Sequence, residues 1–293
     1  MIPIDRRHLP VISLMDRPTL GDYRIEGIVG LGRTGIVYLA TDSRTGRAVA
    51  LKVLREDVSI DPIYRERFRR EGALLAALRH PHVIPIYGMG ELNGDLYIAT
   101  RLVSGTLKNL ILAGPIDLDL AVRIVTAVGE AVDAAHNAGI VHRDVKPANV
   151  LLDPGPQIYL GDFGLARDPD GAALTLPGQV LGTLDYMAPE HLEAEGVGPQ
   201  ADIYALTCLM YEVLTGEVPF VRGTDAAVMY AHVMEEPPSV SARRPEVPAA
   251  LDEVVAAGMA KDPDDRPPSA RALVTDMLRA LGRPVPDRLV AAR

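Results

Sequence analysis

The sequence predicts an α+β protein in two parts, a small β-rich lobe with one main helix followed by a larger, mainly α-helical lobe. Three observations lead there. Between Tyr23 and Val103 strand formers come in short runs separated by glycines and turn residues. One segment in that stretch, opened by Asp61-Pro62, instead places Phe68, Leu75 and Leu78 on one helical face. Beyond Gly105 the apolar residues recur at helical spacing.

In chain order, residues 1–20 hold three prolines and no sustained periodicity, and read as a loosely ordered extension. Ile25, Ile28 and the run Ile36–Leu39 read as strands around Gly30, Gly32 and Gly35. Ser43-Arg44-Thr45-Gly46 reads as a hairpin turn into a strand over Ala48–Leu54. Asp61 is the expected cap of a helix running to about Arg79. Val83–Tyr87 and Leu96–Val103 are expected to be strands. A long helix over Leu118–Ala138 follows, with Gly139 as its C-terminal stop, and further helices are expected at about 200–215, 224–235, 249–260 and 268–281. The expected division is an extension 1–20, a domain 21–282 with lobes at about 21–102 and 106–282, and a short tail 283–293.

The 293 residues suffice for one large domain or two packed lobes. Hydrophobic residues at 48% and charged residues at 24% are ordinary for a soluble globular protein. A net charge of -9 argues against nucleic acid as a partner. The single cysteine, Cys208, excludes an intramolecular disulfide and fits a reducing cytoplasm. No apolar run reaches the roughly 18–20 residues of a membrane span.

The chemistry concentrates in His142-Arg143-Asp144-Val145-Lys146-Pro147-Ala148-Asn149, followed closely by Asp162-Phe163-Gly164. This is a compact set for phosphoryl transfer. Asp144 suits the role of acceptor for the proton of an attacking hydroxyl, Lys146 that of holding the moving phosphoryl group, and Asn149 and Asp162 are hard oxygen ligands suited to Mg²⁺. The loop Gly30-Leu31-Gly32-Arg33-Thr34-Gly35-Ile36-Val37 alone fits a plain turn, a dinucleotide fingerprint or a lid over phosphates. A strand rather than a helix after the glycines favours the lid. Lys52 in Ala50-Leu51-Lys52 is an edge charge unless an acid pairs with it, and Glu71 or Glu66 on the expected helix would serve.

Together these blocks resemble the catalytic and metal-binding loops of protein kinases, and from about residue 20 to 282 the chain is similar to bacterial serine/threonine kinases of eukaryotic type. The resemblance implies a bilobal fold, ATP with Mg²⁺ or Mn²⁺, protein substrates, and autophosphorylation through a transient homodimer. It assigns catalytic roles to Asp144, Lys146, Lys52 and Glu71, the last as partner of Lys52. It places the nucleotide against Gly30, Leu31, Gly32, Arg33, Gly35, Val37, Ala50, Lys52, Thr100, Leu102, Val103 and Leu151, with Asn149 and Asp162 on the metal. His142 is implied to be a packing residue. Asp-x-Lys-x-x-Asn points to the serine/threonine branch. Leu181–Glu190 resembles the peptide-platform block, with Thr183 near Asp144, Glu190 paired with Arg266, and Asp202 anchoring the catalytic loop. Arg143 is implied to dock a phosphate on Thr175, with Arg69 or Arg70 contributing. Arg101 and Ser104 depart from the family, which commonly has Glu and Asp there. A pseudokinase scaffold would lack one of the key residues, and a small-molecule phosphotransferase would lack the platform block.

Overall fold

The computed structural model describes residues 19–290 except 33, 56–61, 93, 154, 156, 164–183, 194 and 195, and leaves the side chains of Ile63 and Val290 undescribed. Strands β1 (Thr19–Leu20), β2 (Tyr23–Leu31), β3 (Gly35–Asp42), β4 (Arg47–Leu54), β5 (Ile86–Leu92) and β6 (Asp95–Arg101) form one antiparallel sheet in the order β1-β2-β3-β4-β6-β5. The expected hairpins are present. β2 and β3 meet with Leu31 opposite Ile36. The β3–β4 turn is closed by Asp42, which accepts from the Arg44 N–H at 2.9 Å and the Thr45 hydroxyl at 2.8 Å.

Strand alternation sorts β4. Val49 and Leu51 point into a small cluster with Leu20, Tyr23, Ala40 and Ala99. Ala50, Lys52 and Leu54 point the other way, and Leu54 joins the main core. Helix α1 (Pro62–Ala77) lies against that second face, burying Tyr64, Phe68 and Leu75. Two strand boundaries differ from expectation. Val83 makes only an isolated bridge to Leu160, and Pro85, which has no N–H to donate, delays β5 until Ile86. β6 stops at Arg101, so Leu102 and Val103 belong to the connection between the lobes.

The second lobe is built on α3 (Leu118–Asn137) and α5 (Pro199–Thr215), after a short helix α2 (Leu107–Ala113) that the periodicity did not reveal. Asp117 caps α3, accepting from the N–H groups of Asp119 at 2.9 Å and Leu120 at 3.2 Å. Gly139 stops it with a φ of 76°. Nearly all of α5 is buried, which explains why its apolar residues run together without one polar face. Shorter helices follow: α4 (Pro189–Leu192) before α5, then α6 (Asp225–Met234), α7 (Val240–Arg243), α8 (Ala250–Gly258), α9 (Ala270–Ala280) and α10 (Asp287–Val290). The buried carboxylate of Asp133 on α3 accepts the N–H groups of Ala270 and Arg271, each at 2.9 Å, and ties α9 to α3. A small sheet, β7 (Gly105–Thr106), β8 (Val150–Leu152) and β9 (Ile158–Leu160), lies between the lobes and carries the loops with the candidate residues at its ends. Among the described residues no helix is long and apolar enough to cross a membrane.

Candidate active site

The loop His142–Asn149 is held from below by one buried carboxylate. Asp202, near the start of α5, accepts the backbone N–H of His142 at 2.7 Å, that of Arg143 at 2.8 Å and an N–H of the His136 ring at 2.8 Å. Arg143 has a φ of 61°, a strained value for a residue with a side chain, and the two bonds to Asp202 hold that bend. Burial alone would raise the Asp202 carboxyl, but the His136 hydrogen bond, the neighbouring histidines and the His142 N–H outweigh it and hold the group below its ordinary range.

His142 is fully buried and both ring nitrogens are engaged. Nδ1 accepts the Asp144 N–H at 3.2 Å, so Nε2 carries the proton and donates it to the Gly161 carbonyl at 3.1 Å. The ring packs on Phe163 at 4.4 Å. Burial pushes its pKa down, so it stays neutral. It links the two candidate loops and is not placed to act as a base.

Asp144, Lys146 and Asn149 converge. The Asp144 Oδ2 accepts from Lys146 Nζ at 2.9 Å and from Asn149 Nδ2 at 3.0 Å, and the same Nδ2 reaches the Asp144 carbonyl at 2.7 Å. With its NH₂ committed there, Asn149 keeps its amide oxygen as the atom to offer a ligand. The Gly161 N–H donates to the Asn149 carbonyl at 2.9 Å and sets Asp162 beside this group. Asp162 has a φ of 52°. Its side chain remains 47% exposed. Partial loss of hydration works to raise its carboxyl, but the charge and hydrogen bond of Lys52 outweigh it and hold it below the ordinary carboxylate range.

One expected contact is corrected. Lys52 pairs with Asp162, not with Glu71. Glu71 reaches instead to Arg143, with Nη1 at 3.8 Å. With Lys52 committed to Asp162, the guanidinium of Arg143 is the cation that meets Glu71. Glu66 is excluded as a partner of Lys52, since it faces solvent and lies 3.7 Å from Arg69. Arg69 itself turns outward to Glu91 at 3.3 Å, and Arg70 is exposed. The helix arginine that turns inward is Arg67, beside Tyr64.

The glycine hairpin adjoins Lys52 in the sheet, with Val37 opposite it. Gly35 is required by close approach, because a Cβ there would meet the Val53 carbonyl oxygen at 2.2 Å. The Gly32 N–H donates to the Gly35 carbonyl at 2.9 Å, while Gly30 has open space beside it. Val37, Ala50, Thr100, Leu102, Val103 and Leu151 are all only half-buried, as residues lining an open cleft between lobes would be. Leu31, at the tip, is exposed. Thr100 donates its hydroxyl to the Ala50 carbonyl at 3.4 Å. Arg101 forks onto Asp153 with Nε at 3.1 Å and Nη2 at 2.8 Å and lies over the Tyr159 ring, so the unusual cation has its own acid on the second lobe. Ser104 donates to the Leu152 carbonyl at 3.3 Å.

Beside the loop, Arg266 forks onto Glu190 at 2.7 and 2.8 Å, with the side chains 0% and 8% exposed, and also donates to the carbonyls of Gln200, Ala260 and Lys261. Tyr186 donates to the buried Glu212. Leu184 and Met187 pack on Val228 of α6. Arg33, Thr175 and Thr183 lie outside the described residues. Cys208 is buried, and burial pushes its thiol well above the ordinary range, which leaves it unreactive. His136, Tyr64, Arg67, Asp153 and Glu212 were not expected in this network, and no local spacing in the sequence marks them.

Comparison with known proteins gives a consistent result. The protein kinase domain model matches residues 23–279. The chain is 46% identical over 248 residues to serine/threonine-protein kinase PknE of Mycobacterium tuberculosis, covering 84% of this chain and 44% of that protein. It is 41% identical over 269 residues to PknH of Mycobacterium bovis, covering 91% of this chain and 45% of that protein. The chain thus spans less than half the length of these curated relatives. The crystal structure of the Mycobacterium tuberculosis PknI kinase domain superposes with a TM-score of 0.73 at 32% identity, covering 92% of this chain and 100% of that one.

Proposed function

The chain belongs to the protein kinase family, and from that premise we propose that it transfers the γ-phosphoryl group of ATP to serine and threonine hydroxyls of proteins, itself included. The observation that carries this is the convergence of Lys146 and Asn149 on the Asp144 carboxylate, together with the Lys52–Asp162 pair, Lys52 lying opposite Val37 of the glycine hairpin in the sheet. The scaffold alternative needs a lost lysine, base or metal ligand, and all four residues, Lys52, Asp144, Asn149 and Asp162, are present.

In this reading Asp144 takes the proton of the acceptor hydroxyl, and Lys146 and Asn149 fix the direction of its carboxylate. Lys146 also places a positive charge where the transferred group passes, and Lys52 places one beside the nucleotide phosphates. The ionised Asp162 carboxylate and the amide oxygen of Asn149, uncommitted among the described residues, fit a hard divalent cation such as Mg²⁺ or Mn²⁺. That ion would neutralise charge on the phosphate oxygens. Half-buried Val37, Ala50 and Leu151 would sandwich the base, and the backbone of Leu102 and Val103 would read its edge. The surface around Tyr186 and Met187, fixed by Glu212 and α6, would seat the peptide.

The test is incubation with γ-labelled ATP and Mg²⁺, followed by identification of the labelled residues. Label on serine and threonine is expected, and label on tyrosine alone or none at all contradicts the proposal. Thr175 remains the candidate loop phosphosite, and the same experiment reports on it. Autophosphorylation between two copies is expected to speed up with protein concentration.

Ser104 offers no carboxylate to a ribose. Ser104→Asp is expected to tighten ATP binding by no more than about 1 kcal/mol, roughly fivefold, or to leave it unchanged. Calorimetric titration measures this. A large loss of affinity in that variant would show that position 104 does not face the ribose.

A further inference from the structure

The two residues that depart from the family, Arg101 and Ser104, both reach the same strand. Arg101 ends β6, the last strand of the larger sheet in chain order. Its guanidinium crosses to Asp153, the residue after β8, with Nε at 3.1 Å and Nη2 at 2.8 Å from one carboxylate oxygen. Ser104 donates to the Leu152 carbonyl at 3.3 Å. Gly105 and Thr106 then pair with Leu152 and Leu151. The connection between the lobes is therefore fastened to β8 at both of its ends.

An ion pair in open solvent contributes little, but this one is sheltered on its acidic side. The Asp153 side chain is 16% exposed, and the Arg101 guanidinium lies 5.6 Å over the ring of buried Tyr159. Charge-assisted hydrogen bonds of this kind are about twice as strong as neutral ones. A glutamate at position 101, as the family commonly has, would set a second carboxylate beside Asp153 in this chain.

The fastened segment carries the groups that the base would meet. Leu102 and Val103, between the two fastenings, offer the backbone that would read its edge. Leu151, opposite Tyr159 in the β8–β9 pair, would pack on its face. We propose that Arg101 and Asp153 form a staple across the hinge that presets the spacing between Leu102–Val103 and Leu151, and that they are positioning residues for the nucleotide. A site held ready in this way pays less ordering entropy when ATP binds, which offsets the carboxylate that Ser104 does not offer. The proposal rests on the reading of the chain as a kinase, since it names what positions that reading's nucleotide.

Arg101→Met, Asp153→Asn and the double variant test it. Calorimetric titration with ATP and Mg²⁺ should show each single variant binding about fivefold more weakly than the parent. The double variant should bind no more weakly than either, because one change already opens the staple. The loss should fall on KM for ATP rather than on kcat, as expected when binding and not chemistry is disturbed. Hydrogen exchange at the amides of Gly105, Thr106, Leu151 and Leu152, which needs no nucleotide, should quicken in both single variants. The staple is overturned if either single variant binds ATP as tightly as the parent, if the two losses add in the double variant, if kcat falls while KM does not rise, or if exchange at these amides is unchanged. Should the parent bind no ATP, exchange decides: quickening in both variants keeps the staple and overturns the kinase reading, and unchanged exchange overturns both.

Discussion

Asp144→Asn is expected to lower the rate of phosphoryl transfer by about 10²–10⁴-fold, the usual contribution of a positioned base. The amide keeps the size of the carboxylate, and its oxygen can still accept from Lys146 and Asn149, the two donors now 2.9 and 3.0 Å from Oδ2. It cannot take up the acceptor's proton. The melting temperature should therefore stay near that of the parent, because Asp202, not Asp144, holds the loop's backbone. Single-turnover kinetics beside thermal melting separate the two effects. An unimpaired rate removes Asp144 from the role of base, and a rate lost together with the fold assigns it a structural one.

Arg266→Met carries the largest expected loss of stability. The guanidinium satisfies both Glu190 oxygens and the carbonyls of Gln200, Ala260 and Lys261 in a buried setting. Removing it leaves a buried carboxylate without its counter-ion, at about 3–5 kcal/mol, or a fall in melting temperature of roughly 10 °C. Glu190→Gln should cost less, because the arginine keeps its three carbonyl acceptors and a neutral amide oxygen. Thermal unfolding of both variants checks the order. Equal or reversed losses would mean that the charge pair is not the dominant contribution.

The sequence made the covalently local features legible. The hairpins showed through strand runs and turn residues, and the face of β4 that carries Lys52 follows from alternation alone. The loop from His142 to Asn149 was readable because Asp144, Lys146 and Asn149 must be close in space when they are close in sequence. Glu190 with Arg266, and Asp202 beneath the loop, came from the family resemblance, and the geometry brings both sets of groups together. What stayed hidden depended on how elements pack. Whether Lys52 meets Glu71 or Asp162 is set by the position of α1 against the sheet, which no spacing within α1 encodes. The acid that answers Arg101 sits on a different lobe, at Asp153. Helix α2 is short, and its capping Thr106 was the one local signal for it. The late start of β5 follows from Pro85 and from the diversion of Val83 to Leu160.

The most direct single measurement is the initial rate of phosphoryl transfer from ATP by Lys52→Met beside the parent protein, with Mg²⁺ present. The parent is expected to label serine and threonine residues, and the variant to be slower by at least about 100-fold, because the cation that serves the nucleotide phosphates is gone. A variant as fast as the parent would contradict the assignment of this cleft as the site of phosphoryl transfer.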